Sequence, residues 1–327
     1  MSVARTMSTC LIAALACGSL NLEAQIVRVA KLGFLSTSAP PKPENLQRGA
    51  FFERLRELGW VEGRTLKVER RYVGPGGALT QAARELAALK LDVVYAVGSL
   101  SMFAARQEIT ATPVVIFTVG DPSKLGAIKN LARPEANMTG VGGFSGDLNG
   151  KRVALLKESV PAITRLAVIG NPAQPQLAAN FPILRERLRA SGIEARLHEV
   201  PNPAALEPAF AAIVRAQSQG LTYWPDPMIS NLRPRILEMA ARHKLPGVYE
   251  DTRFADEGGL MAYGPDYDDM SRRAAEYVDK ILRGAKPGDL PVVLPTKFTM
   301  VLNLKTARSL GITLPQGVLL RADRVIE

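Results

Sequence analysis

Val27-Arg28-Val29-Ala30-Lys31-Leu32-Gly33-Phe34-Leu35 is the stretch on which the reading of this chain turns. It is a short aliphatic, β-branched run with no helical period, which marks a buried strand. Downstream, residues 44–58 place Leu46, Ala50, Phe51, Leu55 and Leu58 on one face of a helix, and Gly59 supplies its stop. Thr65–Tyr72 then returns to strand character. Strand, amphipathic helix and strand in that order form a βαβ unit, which requires a parallel sheet with helices on its faces.

The unit repeats further along the chain. Asp92–Val97 and Val114–Thr118 read as further strands, with a helix over Leu79–Leu89 before them. After Gly140-Val141-Gly142-Gly143 a second series begins: a helix over Leu148–Val160 stopped by Pro161, then strands over Leu166–Gly170, Glu194–Val200, Gly220–Trp224 and Pro246–Tyr249. A long helix over Asp268–Arg283 leads through the proline-rich strap Lys286–Pro291 to a last strand near Phe298–Leu304. A chain of 327 residues is longer than one core usually supports. The fold class expected is therefore α/β, with two doubly wound, Rossmann-like parallel-sheet lobes and a ligand cleft between them. The first lobe takes residues 27–145 plus about 265–290, and the second takes 146–264 plus about 291–327.

Ahead of Val27 the pattern changes. Arg5 gives a short positive region, Cys10–Cys17 an apolar run, and Leu22-Glu23-Ala24 a small residue at a cleavage position, so residues 1–24 read as a signal peptide and the periplasm as the destination. Cys17-Gly18 also offers a faint lipoprotein reading, which the bulky Leu15 opposes. Both cysteines fall in this segment, and that excludes a disulfide scaffold. The net charge of +10 is carried by bases scattered singly or in pairs such as Arg70-Arg71. A nucleic-acid binder would gather them into a basic run interleaved with aromatics, so no nucleic-acid partner is expected, while anionic solutes would be mildly attracted.

In sheets of this kind ligands sit beyond the carboxyl ends of the strands. The residues there are Thr37 and Ser38 after the first strand, Gly98, Ser99 and Leu100 after the third, and Val119 and Asp121 after the fourth. In the second half they are Asn171, then Tyr223, Trp224 and Asp226, then Tyr249 and Glu250, and finally Tyr263, with Phe144 at the presumed crossing. Ser99 at a helix start is either a carboxylate site, through its hydroxyl and the free amides of the first turn, or an ordinary cap. Asp121, Asp226 and Glu250 are either partners for a ligand ammonium or turn formers. Phe34, Phe144, Tyr223, Trp224, Tyr249 and Tyr263 either flank a flat ligand or plug the core.

Catalytic signatures are missing from the sequence. It has no Walker loop, no HExxH, no Gly-x-Ser-x-Gly elbow and no Cys/His cluster, and its two histidines, His198 and His243, stand apart. The expectation is a protein without catalytic residues, metal or cofactor.

Three blocks carry a resemblance: Leu55-Arg56-Glu57-Leu58-Gly59-Trp60-Val61-Glu62-Gly63, Leu131-Ala132-Arg133-Pro134, and Gly258-Gly259-Leu260-Met261-Ala262-Tyr263-Gly264-Pro265-Asp266. Pro295-Thr296-Lys297-Phe298 and Asn303-Leu304-Lys305-Thr306-Ala307 extend it. With these the chain resembles the ABC-transporter substrate-binding proteins of the tryptophan/tyrosine type. That resemblance implies a type I periplasmic binding fold, capture of an aromatic amino acid or carboxylate by lobe closure, an inner-membrane ABC permease as partner, and a monomer. A ligand-sensing domain of the same fold and a binding protein for a non-aromatic carboxylate are the alternatives.

Overall fold

The computed structural model describes residues 29–38, 40, 42, 46–47, 49–74, 77–118, 120–134, 137–143 and 145–327. The signal-peptide reading and the candidates Val119 and Phe144 lie outside the described residues.

The first lobe is built on a five-stranded parallel sheet in the order β2-β1-β3-β4-β5. Its strands are β1 (Ala30–Ser36), β2 (Leu66–Tyr72), β3 (Val93–Val97), β4 (Val114–Phe117) and β5 (Met138–Val141), and its helices are α1 (Ala50–Glu57), α2 (Leu79–Ala88) and α3 (Ser99–Glu108). β1 and β3, at the centre, are buried on both faces, which is why they read as continuous apolar runs rather than as an alternation. The helix expected over residues 44–58 is shorter than its pattern: Leu46 and Gln47 form a turn, and Gly49, with φ 103, cannot continue a helix upstream of Ala50.

Past β5 the chain enters the second lobe through α4 (Ser145–Ser159). There β6 (Arg165–Gly170), α5 (Pro175–Ala190), β7 (Glu194–Glu199), α6 (Leu206–Arg215) and β8 (Gly220–Tyr223) form a parallel sheet β7-β6-β8. Two short helices, α7 (Pro227–Asn231) and α8 (Arg233–Arg242), lead to β9 (Val248–Tyr249), α9 (Thr252–Asp256) and β10 (Met261–Pro265). A bridge from Leu221 to Gly247 and the bond from Thr222 Oγ1 to the Val248 carbonyl (2.8 Å) join β8 to β9, so the sheet continues across the lobe.

At Pro265 the chain crosses back. α10 (Tyr267–Leu282) packs on α1 and on the β4–β5 face of the first sheet, with Trp60 Nε1 donating to Asp279 (2.8 Å). The strap that follows stays on that sheet as far as Val293, whose amide donates to Gly140 O (3.1 Å) and whose carbonyl accepts from Gly142 N (2.9 Å). It then returns as β11 (Phe298–Asn303), α11 (Leu304–Leu310), α12 (Gln316–Leu319) and β12 (Arg324–Ile326). β11 runs antiparallel to β10, with Phe298 opposite Pro265. The reason is geometric: the chain re-enters the second lobe at the end from which it left, so the incoming strand must point the other way.

Each sheet is covered on both faces. In the first lobe one apolar cluster lies under α1 and α10 and another under α2 and α3, and the second lobe also has two. Asn303 fixes the last turn of this construction, capping α11 through Thr306 N (3.0 Å) and donating to Ala255 O (2.8 Å) while only 4% exposed. Asn303→Ala is expected to cost about 1–2 kcal/mol, read as a lowered urea midpoint with an unchanged denaturant slope.

Candidate functional site

The two sheets point their carboxyl ends at each other, and a cavity of about 300 Å³ lies between them. The first lobe gives it an aromatic wall. Strand register places Phe34 directly opposite Tyr95, and Val97 opposite Phe117, so their side chains emerge side by side on one face. Phe51 stacks flat on Tyr95, with ring centroids 3.9 Å apart and planes 6° off parallel. Phe52 closes one end against Phe34 at 6.0 Å, beneath the Arg70 guanidinium, and Tyr267 closes the other against Phe117 at 6.0 Å. Ser36 and Ser38, whose hydroxyls share a 2.8 Å hydrogen bond, form the polar notch beside this wall.

The second lobe gives a polar wall, with Asp226, Pro227, Ser230, Asn231, Asp251 and Arg253 lining the cavity. Asp226 is buried and committed: Oδ1 caps α7 through Ile229 N (3.0 Å), while Oδ2 accepts from Asn171 Nδ2 (3.1 Å) and Gln174 Nε2 (2.6 Å). Asp251 caps α9 and also meets Arg253, whose Nε lies 2.9 Å from both carboxylate oxygens. Although partial desolvation acts the other way, the hydrogen-bonded Asp251 carboxylate holds the Arg253 guanidinium, whose side chain is 54% exposed, above its ordinary range. A cation and an anion therefore stand together at the polar side, with Asp268 of α10 exposed nearby.

Of the residues expected from the sequence, Ser38 and Asp226 line this cavity. Gly98 and Ser99 instead form the seam where the lobes touch. A Cβ at Gly98 would lie 2.9 Å from Pro227 Cγ, and the fully buried Ser99 hydroxyl accepts from Gln176 Nε2 at 2.9 Å. Gly98 is the N-cap and Ser99 the first helical residue, one position inside the expected cap. Thr37, Leu100 and Asn171 line a second cavity of about 330 Å³ beyond that seam. Asp121 takes the turn-forming alternative, accepting from the amide and hydroxyl of Ser123 (2.9 and 2.6 Å).

The aromatic candidates divide. Phe34 belongs to the wall, but Tyr223 and Tyr249 are buried in the second lobe's core, stacked on Phe254 at 4.9 and 4.4 Å. Trp224 is core as well, and Tyr263 packs on Phe298 and takes a hydrogen bond from Lys151 (2.6 Å). Glu250 is buried behind the cavity, near Arg152. Phe51, Phe52, Tyr95, Phe117 and Tyr267 were not anticipated, because they lie on the first turns of helices or inside strands rather than in the loops that follow them. The signal available was periodic: Tyr95 and Phe117 alternate onto the face that the α1 pattern, with Phe51, is set to cover. Among the described residues, no group of His, Cys, Asp and Glu is arranged to hold a metal ion.

The model of the family described as ABC transporter substrate binding protein matches residues 43–326. The chain belongs to that family. Its members are binding proteins rather than enzymes. The chain is 23% identical to a tyrosine-binding protein of Clostridioides difficile over 83% of its own length and 77% of the relative's. Among solved structures it superposes on a conserved domain protein from Vibrio cholerae with a TM-score of 0.79, at 24% identity over 91% of this chain and all of the other. With an ABC domain in complex with L-Trp from Streptococcus pneumonia the TM-score is 0.77, at 22% identity over 91% and 99% of the two chains. A ligand-free, open structure of a Clostridium difficile substrate-binding protein gives 0.58, also at 22% identity over 91% and 99%. These likenesses fix the fold as that of type I periplasmic binding proteins. Among the described residues no helix is long and apolar enough to cross a membrane.

Proposed function

We propose that this chain is the extracytoplasmic binding component of an ABC importer, working in the periplasm, and that lobe closure traps an aromatic amino acid or a related aromatic carboxylate. The observation that carries the reading is the asymmetry of the cavity, with rings on one lobe and paired charges on the other. A ligand ring among Phe52, Phe117 and Tyr267 gains burial and offset or edge-to-face stacking. The Arg253–Asp251 pair matches a zwitterion, the guanidinium facing a carboxylate and the carboxylates facing an ammonium. A volume of about 300 Å³ lies at the small end of ligand pockets, the size class of a single amino acid.

Closure is supported by the seam. Ser99–Gln176 and Gly98–Pro227 are contacts between lobes, and the chain superposes better on the L-Trp complex than on the ligand-free open structure. The named ligands of the two relatives, tyrosine and L-Trp, point to the same chemical class. In this reading the lobes divide where the chain passes from β5 to α4, from β10 to α10 and from Val293 to β11, and an inner-membrane permease is the partner this family implies.

Calorimetry of the purified protein against L-tyrosine, L-tryptophan, L-phenylalanine, aryl carboxylates, aliphatic amino acids and sugars tests the proposal. At least one aromatic ligand is expected to bind with a Kd of about 1 µM or tighter. Tight binding of an aliphatic carboxylate with silence from every aromatic compound would defeat the aromatic reading.

A further inference from the structure

Beyond the seam, the second cavity of about 330 Å³ is close in size to the one that faces the aromatic wall, at about 300 Å³. Both lobes build it, with Val73, Leu79, Leu100 and Phe103 from the first and Asn171 and Met228 from the second. Val73, Leu79 and Phe103 pack against the first lobe's core and are only half-buried, so apolar surface is left for this space.

The partition between the two cavities is shared. Pro227, Ser230 and Asn231 of α7 line the first cavity, and Met228 of the same helix lines the second. Asp226, the cap of α7, lines the first and takes its hydrogen bond from Asn171 (3.1 Å), which lines the second. Gly98 closes the partition from the other lobe, where an added Cβ would lie 2.9 Å from Pro227 Cγ and 3.9 Å from Thr37 Oγ1.

The two linings differ in chemistry. No charged side chain is among the described residues around the second cavity. An ion entering it would give up its hydration and meet no counter-charge, which shuts out the amino acids and carboxylates suited to the first. Its lining offers apolar contact with one exception: Thr37 Oγ1 is buried and has no hydrogen-bond partner, whereas such groups are nearly always paired. Asn171 is engaged within the second lobe, Oδ1 accepting from Ala173 N (3.0 Å) and Nδ2 donating to Asp226. The remaining polar side chains, Thr80 and Gln107, are half-buried and exposed, within reach of water.

We propose that this cavity is a second binding site for a neutral, mainly apolar molecule carrying one hydroxyl for Thr37, and that its occupant, held by both lobes, strengthens capture of the aromatic ligand. The inference rests on the lobe-closure reading above. When the lobes part, Asn171 and Met228 leave with the second, and the occupant keeps only its first-lobe contacts. A molecule that prefers the closed form shifts the population towards it, and two such ligands strengthen each other by the same factor.

The probe is cyclohexylmethanol, neutral and apolar, with one hydroxyl and no aromatic face for the first cavity. Cyclohexanecarboxylate is its charged counterpart. Titrations followed by NMR of the probe give its Kd with and without saturating aromatic ligand, and calorimetry gives the aromatic ligand's Kd with and without the probe. Cyclohexylmethanol is expected to bind with a Kd of about 1 mM or tighter. Each ligand is expected to tighten the other by at least about fivefold. With the aromatic ligand in place, the carboxylate should bind at least about tenfold more weakly than the alcohol. Thr37→Val keeps the shape but leaves the probe's hydroxyl unpaired, for a loss of about fivefold, and Leu100→Ala removes apolar contact, for a loss of at least about threefold. Thermal melts check that both variants fold.

A probe that raises the aromatic Kd occupies the first cavity, one that leaves it unchanged touches a single lobe, and one that does not saturate by about 10 mM has no site here. Each of these overturns the proposal, as does wild-type affinity for the probe in both variants or equal binding of the carboxylate. Were no aromatic ligand to bind at all, the proposed function would fall and the probe would decide alone, through small-angle scattering of the ligand-free protein. Compaction by cyclohexylmethanol that is weakened in Thr37→Val and Leu100→Ala supports the second site, and compaction that is absent, or unchanged in both variants, overturns it.

Discussion

Alanine at Phe117 or Phe52 is expected to weaken binding of an aromatic ligand by about 30-fold to 1,000-fold while leaving the protein folded. The magnitude follows from what each ring contributes. Burying an aromatic surface against a ligand is worth about 1.5–3 kcal/mol, and a ring pair adds about 0.5–1.5 kcal/mol, which together span that range at about 1.4 kcal/mol per tenfold. The folding cost is smaller than for a core phenylalanine, because both side chains are only half-buried and face the cavity. Each is backed by another ring, Phe52 by Phe51 at 5.1 Å and Phe117 by Tyr95 at 6.4 Å, so truncation opens space towards the ligand rather than through the sheet. Phe117→Leu, which keeps apolar volume but no π face, should recover part of the loss. Calorimetric Kd values beside thermal melts separate binding from folding, and wild-type affinity in both alanine variants would show that the ligand sits elsewhere.

These rings also show where sequence reading stopped. The βαβ rhythm was legible because strands buried on both faces leave continuous apolar runs, and β1, β3, β4 and β6 were found for that reason. β5, β10 and β12 were not, and each has a local cause. β5 is four residues long and contains Gly140, where a Cβ would lie 2.3 Å from the Ile116 carbonyl oxygen, so a residue that reads as a loop marks close strand contact. β10 is crowded by glycine and proline because it ends in a crossing, and β12 has only three residues at the edge of the sheet. The cleft between the lobes was legible in outline from the rule that ligands lie at strand ends. Which side chains reach it was not, because that depends on register and on the lobe a returning segment joins. Tyr249 and Tyr267 look alike in sequence, yet one follows its strand into the second lobe's core and the other begins a helix that crosses to the first. The polar residues of the seam carried a further ambiguity: Ser99 has the chemistry of an anion site, but Gln176, distant in sequence, occupies its hydroxyl.

That seam yields the second large effect. Gly98→Ala is expected to lower ligand affinity by about 5-fold to 150-fold through faster dissociation, with association nearly unchanged. Gly98 has φ 91 and ψ 156, a region essentially confined to glycine, so alanine is strained in the open and closed forms alike and that cost cancels in binding. The contact with Pro227 does not cancel. A methyl group at residue 98 would stand 2.9 Å from Pro227 Cγ and 3.6 Å from Cδ, and a proline ring cannot rotate away as a flexible side chain could. Pro227 is also held at the first turn of α7, whose cap Asp226 is fixed by Asn171 and Gln174. The overlap exists only when the lobes meet, and overpacking of this kind costs about 1–3 kcal/mol, which sets the predicted range and places it in the off-rate. Ser99→Ala at the same seam removes one hydrogen bond and should cost about 1 kcal/mol, near fivefold. Pro227→Ala is the decisive partner, since alanine is tolerated at a helix start and takes away the atoms the wedge strikes. The Gly98→Ala/Pro227→Ala double variant should regain most of the lost affinity, a coupling that stopped-flow rates can measure. If the double variant binds no better than Gly98→Ala alone, the loss arises from backbone strain in the first lobe, and closure over the ligand does not pass through this contact.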